Sequence, residues 1–372
     1  MKIALVHDHF FEFGGAERVM LALKELFPAA DVYTAAYNND ILKQHVSNIH
    51  EWNIKTSWAA HIPFFNKLYS PLRFLTPWIW ESFNLSGYDL IISSSGWFMS
   101  KGVITKPPTK HICYIHHQPK YLYYYETSLE WQKYKLIKIY GHFINHFLRM
   151  WDYISSQRPD YFIANSDETK RRVKKFYRRD AYVIYPPVNI QLKVNLDAGL
   201  LKKRTYFITL SRLVKTKNID LLIKSSEKLN IKFKIIGKGR DENYLRKIAR
   251  ENVEFLGQVS DEEFEDLYKN AKAFLFAAKD EEFGIAPIEA MGYGVPVIAY
   301  KSGGLKETVR DGINGYLFSD LTLDSISEKI NDIISLSEKE YSKMCENAHL
   351  ESQRYSMGSF RNKINEIIEM AV

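Results

Sequence analysis

The stretch "YVIYPPVNI", residues 182–190, decides how the chain divides. Pro186 and Pro187 lock two successive φ angles and lack N–H donors, so neither a helix interior nor a central strand runs through them. On both sides of this stiff pair, short β-rich runs alternate with helical patterns. Upstream, "KIALVH" (2–7) reads as a strand, followed by the loop "DHFFEFGGAE" and the helix pattern "RVMLALKELF". "YDLIISSS" (88–95), "HICYIHH" (111–117) and "DYFIANS" (160–166) read as further buried strands, and "ETKRRVKKFY" as a helix with a basic outer face. Downstream, strands "TYFITL", "KFKIIG", "VEFLG", "AFLFAA" and "PVIAY" are separated by helix patterns such as "IDLLIKSSEKL", "ENYLRKIAR" and "DEEFEDLYKNA". "GLKETVRD" and the tail from about Ser325 also read as helical.

Such alternation predicts an α/β chain of two doubly wound, Rossmann-like domains, 1–187 and 188–351, joined at the proline pair. A C-terminal helix over about 352–372 is expected to pack back on the first domain. Ligands bind at the carboxyl ends of strands in sheets of this kind, so both sheets are expected to face a cleft.

A length of 372 residues exceeds one ordinary core, and 46% hydrophobic residues fit a globular protein. The two cysteines, Cys113 and Cys345, make no disulfide framework, and a reducing, cytoplasmic setting is the plain reading. "MKIALVHDHF" meets charges too early for a signal peptide or a spanning helix. A net charge of +7 admits nucleic acid, an anionic membrane or a phosphate-bearing small molecule as partner; scattered surface lysines are the ordinary alternative.

Two acids stand out in "AAKDEEFGIAPIEAMGYGVPVIAY" (277–300), where Glu281 and Glu289 flank a largely apolar turn. Pro287 suits the first turn of a helix, and if the helix starts there Glu289 sits in its first turn and Glu281 in the loop before it. The N–H groups of "EFGI" would then face a ligand at a helix N-terminus. Carboxylates repel a phosphate, so these two would face neutral hydroxyls, such as those of a sugar. The ordinary alternatives are a helix-dipole acid for Glu289 and a solvated loop acid for Glu281.

In "LSRLVKTKNID", Arg212 follows a strand and Lys217 precedes a helix, a placement that can grip a diphosphate. Gly14 and Gly15 precede a helix and permit close backbone approach, although the spaced glycines of a dinucleotide fingerprint are missing. His116 and His117 end a strand. With His111 they converge on no metal pattern, so a polar contact at the cleft competes with a core or surface histidine. "WQKYKLIKIYGHFINHFLRMW" and "FFNKLYSPLRFLTPWIW" mix cations with large aromatics, as a membrane-surface helix does, and equally as a helix packed on its own domain.

Together these pieces resemble the GT-B retaining glycosyltransferases of family 4, the glycosyl transferases of group 1. "EEFGIAPIEAMGYGVPVIAYKSGGLKETVRDGINGYLF" is similar to their hallmark segment, with Glu281 and Glu289 as its spaced acidic pair. "MKIALVHDHFFEFGGAERV", "DYFIANSDETKRRVKKFY", "LSRLVKTKNIDLLI" and "VEFLGQVSDEEFEDLYKNA" follow in the family's order over nearly the whole chain.

The resemblance implies that Glu281 binds donor-sugar hydroxyls beside the N–H groups of Phe283, Gly284 and Ile285, and that Glu289 holds the ribose. It implies that Arg212 and Lys217 neutralise the leaving diphosphate without a metal or other cofactor. Gly14 and Gly15 would approach the donor phosphates and the acceptor. His116 matches the family's cleft histidine, with His117 as the alternative. Gln118, Lys120 and Ser211 depart from the proline, arginine and glycine common at those places.

The mannosyltransferase-like subgroup reads closest, implying GDP-mannose as donor and a glycan or polyprenyl-linked glycan as acceptor. An anionic membrane surface becomes a candidate partner at the inner face of the cell membrane, and nucleic acid does not. Other readings on this fold are a sugar-nucleotide epimerase, a phosphorylase, for which no lysine has a pyridoxal phosphate context, and a non-catalytic nucleotide-binding protein.

Overall fold

Parallel strands covered on both faces are apolar almost without interruption, and the central strands here follow that rule. The computed structural model describes residues 1–127, 135–190 and 194–371. They form two units: Met1–Pro187 with the chain from Phe360 onward, and Val188–Ser359.

In the first unit, β1 (Ile3–His7), β2 (Asp31–Thr34), β3 (Ile54–Thr56), β4 (Leu90–Ser95), β5 (Lys110–Ile115), β6 (Tyr161–Ala164) and β7 (Tyr182–Val183) make one sheet. Its order is β3-β2-β1-β4-β5-β6-β7, with every pairing parallel. All six residues of β4 are buried, and its polar half, Ser93–Ser95, finds internal partners, as when Ser95 Oγ accepts from the Lys101 N–H at 3.2 Å. The chain from Phe360 lies on this unit: Phe360 meets the Tyr114 ring edge-on at 6.1 Å, and Arg361 pairs with Glu25 at 3.6 Å.

In the second unit, β8 (Tyr206–Leu210), β9 (Lys232–Ile236), β10 (Val253–Gly257), β11 (Ala271–Phe276), β12 (Val297–Tyr300) and β13 (Gly315–Phe318) follow the order β10-β9-β8-β11-β12-β13. These pairings are parallel too. Leu222, Ile223, Phe233, Ile235, Leu275 and Ile298 form the centre of its core.

The order of strands reverses between β1 and β4 in the first sheet, and between β8 and β11 in the second. At such a reversal the connections leave towards opposite faces, and the loops beyond the carboxyl ends part.

Four strands escape the sequence reading: β2, β3, β7 and β13. Three of them are sheet edges of two to four residues, too short to show a period. "GLKETVRD" is helical only over Leu305–Thr308, and the last helix spans Met357–Ala371. No described helix is long and apolar enough to cross a membrane.

The first unit also buries an ion pair, between Lys101 and Asp152, whose side chains are 1% and 0% exposed. The Tyr123 and Tyr177 hydroxyls donate to the same carboxylate at 2.6 and 3.2 Å. Asp152→Ala leaves a buried ammonium without its counter-charge, which costs about 3–5 kcal/mol. Urea denaturation is expected to show that loss, and a change under about 1 kcal/mol would contradict it.

Candidate active site

In the second unit, the loops after β8 and β11 part at the reversal point, and they carry the cations and the acid singled out in the sequence. Arg212 lies two residues beyond β8 and is exposed. Its backbone neighbours are pinned to the end of β9: Ser211 N–H donates to the Ile236 carbonyl at 3.1 Å, and Leu213 N–H to that of Lys238 at 3.0 Å. That approach depends on Gly237, at φ +124°, because a Cβ there would stand 2.0 Å from the Ser211 carbonyl oxygen.

Lys217 closes a 3-10 turn, Lys215–Lys217, and Asn218 follows in a left-handed conformation at φ +50°. The Asn218 side-chain amide donates to the Ala277 carbonyl at 2.9 Å, which ties this turn to the end of β11. So placed, Lys217 Nζ donates to Glu281 Oε2 at 2.5 Å, with the two side chains 15% and 24% exposed. Lys217 Nζ also lies 5.4 Å from the centre of the Phe276 ring.

A third loop holds Glu281 in place. The Gly304 N–H donates to the Glu281 carbonyl at 2.9 Å, and the Asp280 N–H donates to Ser302 Oγ at 3.0 Å. Gly303, at φ +57°, runs so close that a Cβ would fall 1.8 Å from the Glu281 carbonyl oxygen. Residues 302–304 belong to the quoted hallmark, yet the sequence reading assigns them no part. A glycine pair two residues beyond strand "PVIAY" is the signal that marks them.

The helix after Glu281 keeps Pro287 in its first turn but starts two residues before it. It spans Ile285–Gly292 with Gly284 as N-cap at φ +89°, which makes Pro287 its third residue and Glu289 its fifth. Proline is tolerated there because the first four N–H groups of a helix have no partner within it. Glu289 is half-buried and stands beyond the first turn. Phe283 is buried edge-on against Tyr355 at 5.4 Å, so its ring is a packing element.

In the first unit, the reversal point lies between the loops after β1 and β4. Asp8, just past β1, accepts from the N–H groups of Gly96, Phe98 and Ser100 at 2.9, 2.9 and 2.8 Å, and so shapes the loop after β4. Gly14 has extended backbone angles, and its N–H donates to Glu17 Oε2 at 2.8 Å, so the Glu17 carboxylate already occupies one of the two glycine N–H groups.

His116 and His117 stand just past β5 and differ in setting. His116 is buried, and its Nε2 lies 2.8 Å from Ser94 Oγ. Burial, then the neighbouring His7 and His117, push its pKa down to about 3. His117 is half-buried and donates from Nδ1 to the Gln118 carbonyl at 2.9 Å. His111 turns into the core, its Nε2 2.8 Å from Ser93 Oγ. Among the described residues, no three His, Cys, Asp or Glu side chains are grouped to hold a metal ion.

The structure thus brings Lys217 and Glu281 into contact, with Arg212 on the same loop as Lys217, and sets the glycine pair after β1 and His116 after β5, where it meets β4 through Ser94. Sequence reasoning missed Glu17 and Ser94, which lie far apart in the chain. An acid three residues after Gly14 was the one visible hint.

Known proteins share this construction. The family described as Glycosyltransferase Family 4 matches residues 13–192, and that described as Glycosyl transferases group 1 matches residues 196–351. An uncharacterised glycosyltransferase of Methanocaldococcus jannaschii is 28% identical over 185 residues, covering 49% of this chain and 51% of the relative. The GDP-Man:Man(3)GlcNAc(2)-PP-Dol alpha-1,2-mannosyltransferase of Dictyostelium discoideum is 23% identical over 299 residues, 69% of this chain and 58% of that one. The chain spans about half the length of the curated relatives it matches. The crystal structure of Anabaena HepE in complex with UDP covers 100% of both chains with a TM-score of 0.72 at 19% identity, a likeness of fold. With the two families matched in order along it and the fold shared end to end, the chain belongs to the family 4, group 1 glycosyltransferases of the GT-B fold.

Proposed function

We propose that this chain moves a hexose, mannose from GDP-mannose, onto a glycan or polyprenyl-linked glycan with retention of anomeric configuration. The observation that carries the reading is the Lys217–Glu281 pair at the β8/β11 reversal. An ammonium has three donors, and one to Glu281 leaves two for the oxygens of a leaving diphosphate. The carboxylate keeps lone pairs for sugar hydroxyls, and its bond to Lys217 fixes where they lie. Arg212, exposed on the loop that leads to Lys217, adds a planar fork for phosphate oxygens. Fixed cations of this kind stabilise charge as it develops on the leaving group, which is the work required when no metal or cofactor takes part.

Backbone N–H groups of Phe283, Gly284 and Ile285 at the helix start add to the same field, and Glu289 is assigned the ribose hydroxyls. In the first unit, His116 and the Gly14–Gly15 loop are assigned to substrate contact. No residue is assigned as covalent nucleophile.

The Dictyostelium relative is named for GDP-mannose and a dolichyl diphosphate-linked glycan, which supports this donor and acceptor class. The Anabaena protein was solved with UDP, which makes a UDP-hexose the competing donor.

A lipid-linked acceptor would bring the chain to a membrane surface, and one face of the first unit supports that. The helix Lys135–Ser155 buries Asn145, Leu148 and Trp151 on its inner side. Its outer side carries Ile139, Phe143, Phe147, Met150 and Ile154 at spacings of three and four, with Phe143 70% exposed. Trp78, 54% exposed, stacks on Phe147 at 6.4 Å and extends this face. Lys135, Lys138, His142 and His146 are exposed, whereas the one acid of the helix, Asp152, is buried. An apolar stripe with cations and no exposed acid fits an anionic bilayer. Residues 131–134 of the segment singled out in the sequence lie outside the described residues.

Glu281→Ala is expected to lower transfer more than a hundredfold with the fold intact. Near-normal release of nucleoside diphosphate would remove Glu281 from its role. Arg212→Ala is expected to weaken nucleoside diphosphate binding about tenfold or more by calorimetry, and unchanged affinity would count against the phosphate assignment. Vesicles containing phosphatidylglycerol are expected to float the protein, and Phe143→Ser with Phe147→Ser to lose that flotation. Equal flotation of the variant would leave the helix an ordinary packed one.

A further inference from the structure

A buried line of contacts joins the glycine loop of the first unit to His116. Gly14 N–H donates to Glu17 Oε2, Glu17 Oε1 lies 3.5 Å from His7 Nε2, His7 Nδ1 lies 3.0 Å from Ser94 Oγ, and Ser94 Oγ lies 2.8 Å from His116 Nε2. All four side chains are buried, Ser94 completely. Burial pushes the Glu17 carboxyl up, but hydrogen bonding to His7 and the nearness of His7 and His9 outweigh it and hold the group below its ordinary value.

The ionised end of this line gives it a direction. A carboxylate has no proton to offer, so the proton at the Glu17–His7 contact sits on His7 Nε2. When His7 carries this ring proton and no second one, Nδ1 has only a lone pair, and Ser94 must donate its hydroxyl proton there. Having given its one proton to His7, Ser94 Oγ accepts from His116, whose ring proton is therefore on Nε2.

We infer that Glu17, His7 and Ser94 are positioning residues that fix the Nε2–H tautomer of His116, so that His116 offers Nδ1 to a ligand as a hydrogen-bond acceptor. The ligand group it fits is a hydroxyl that donates. His117 has the complementary arrangement: its Nδ1 donates to the Gln118 carbonyl, which leaves Nε2 as its lone-pair nitrogen. Two neighbouring imidazoles then present acceptors and no donors, which suits a polyhydroxylated ligand and discriminates against a bare phosphate oxygen. This consequence for a ligand rests on the glycosyltransferase reading. The tautomer does not.

The design also says how to reverse it. In Glu17→Gln the amide can donate to His7 Nε2, which moves the His7 proton to Nδ1, turns Ser94 around and moves the His116 proton to Nδ1. The test is nitrogen-15 NMR of histidine-labelled full-length protein at pH 8, where the two tautomers have distinct ring-nitrogen shifts, with His116→Gln assigning the resonance. The wild-type chain and Ser94→Thr are expected to show His116 as the Nε2–H tautomer, Ser94→Ala a mixture, and Glu17→Gln a shift towards Nδ1–H. A wild-type His116 protonated on Nδ1, or a tautomer indifferent to Ser94→Ala and Glu17→Gln in folded protein, would overturn the inference.

In the transfer assay, Ser94→Ala is expected to lower kcat about tenfold with KM for the donor little changed, and Ser94→Thr to restore it. Correct tautomers with no transfer from any nucleotide sugar would leave this inference standing and defeat the proposed function.

Discussion

A parallel sheet that winds outward in both directions from its first strand sends successive crossovers over opposite faces, and at the reversal two neighbouring loops part beyond the carboxyl ends. Both units are built under this constraint. In the second, it separates the turn that carries Lys217 from the loop that carries Glu281, and then the side chains close the gap at 2.5 Å. In the first, it separates the glycine loop after β1 from the loop after β4, which Asp8 gathers with three backbone N–H groups. The chemistry-bearing side chains stand where the backbone cannot fill the space.

Holding a half-buried ion pair there takes more than the two charges. The Asn218 amide latches the cation's turn to β11, and the Ser302–Gly304 loop grips the acid's backbone from β12. Glycine at 303 follows from that grip, because a side chain would overlap the Glu281 carbonyl. The arrangement is preorganised: its hydrogen bonds fix the pair before any ligand arrives, so little reorganisation is left to binding.

Most of this fold was legible in the sequence because doubly covered strands carry long apolar runs, as "AFLFAA" illustrates, and because helices of ten residues or more show their period. The edge strands were not, since two to four residues with one partner carry too little pattern. Pro287 sits in the first turn of its helix as its missing N–H suggests, but Gly284, in a left-handed turn, sets the start two residues before it and carries Glu289 beyond that turn. Within the candidate site, charged residues announced themselves by type and place. The line from Glu17 to His116 did not, because a serine in a buried strand looks like filler and its histidine partners stand 87 and 22 residues away.

The central claim is that a nucleotide sugar is bound through Lys217 and Glu281 at the β8/β11 reversal. Thermal unfolding with GDP-mannose, UDP-glucose and ADP-glucose tests it most directly, since a ligand of the folded state at a hundredfold excess over Kd adds about 2.7 kcal/mol of stability. GDP-mannose should raise the Tm of the wild-type chain above the other two, and Lys217→Met should lose most of that rise. An equal rise in the folded Lys217→Met variant, or no rise with any of the three sugars, would contradict the account.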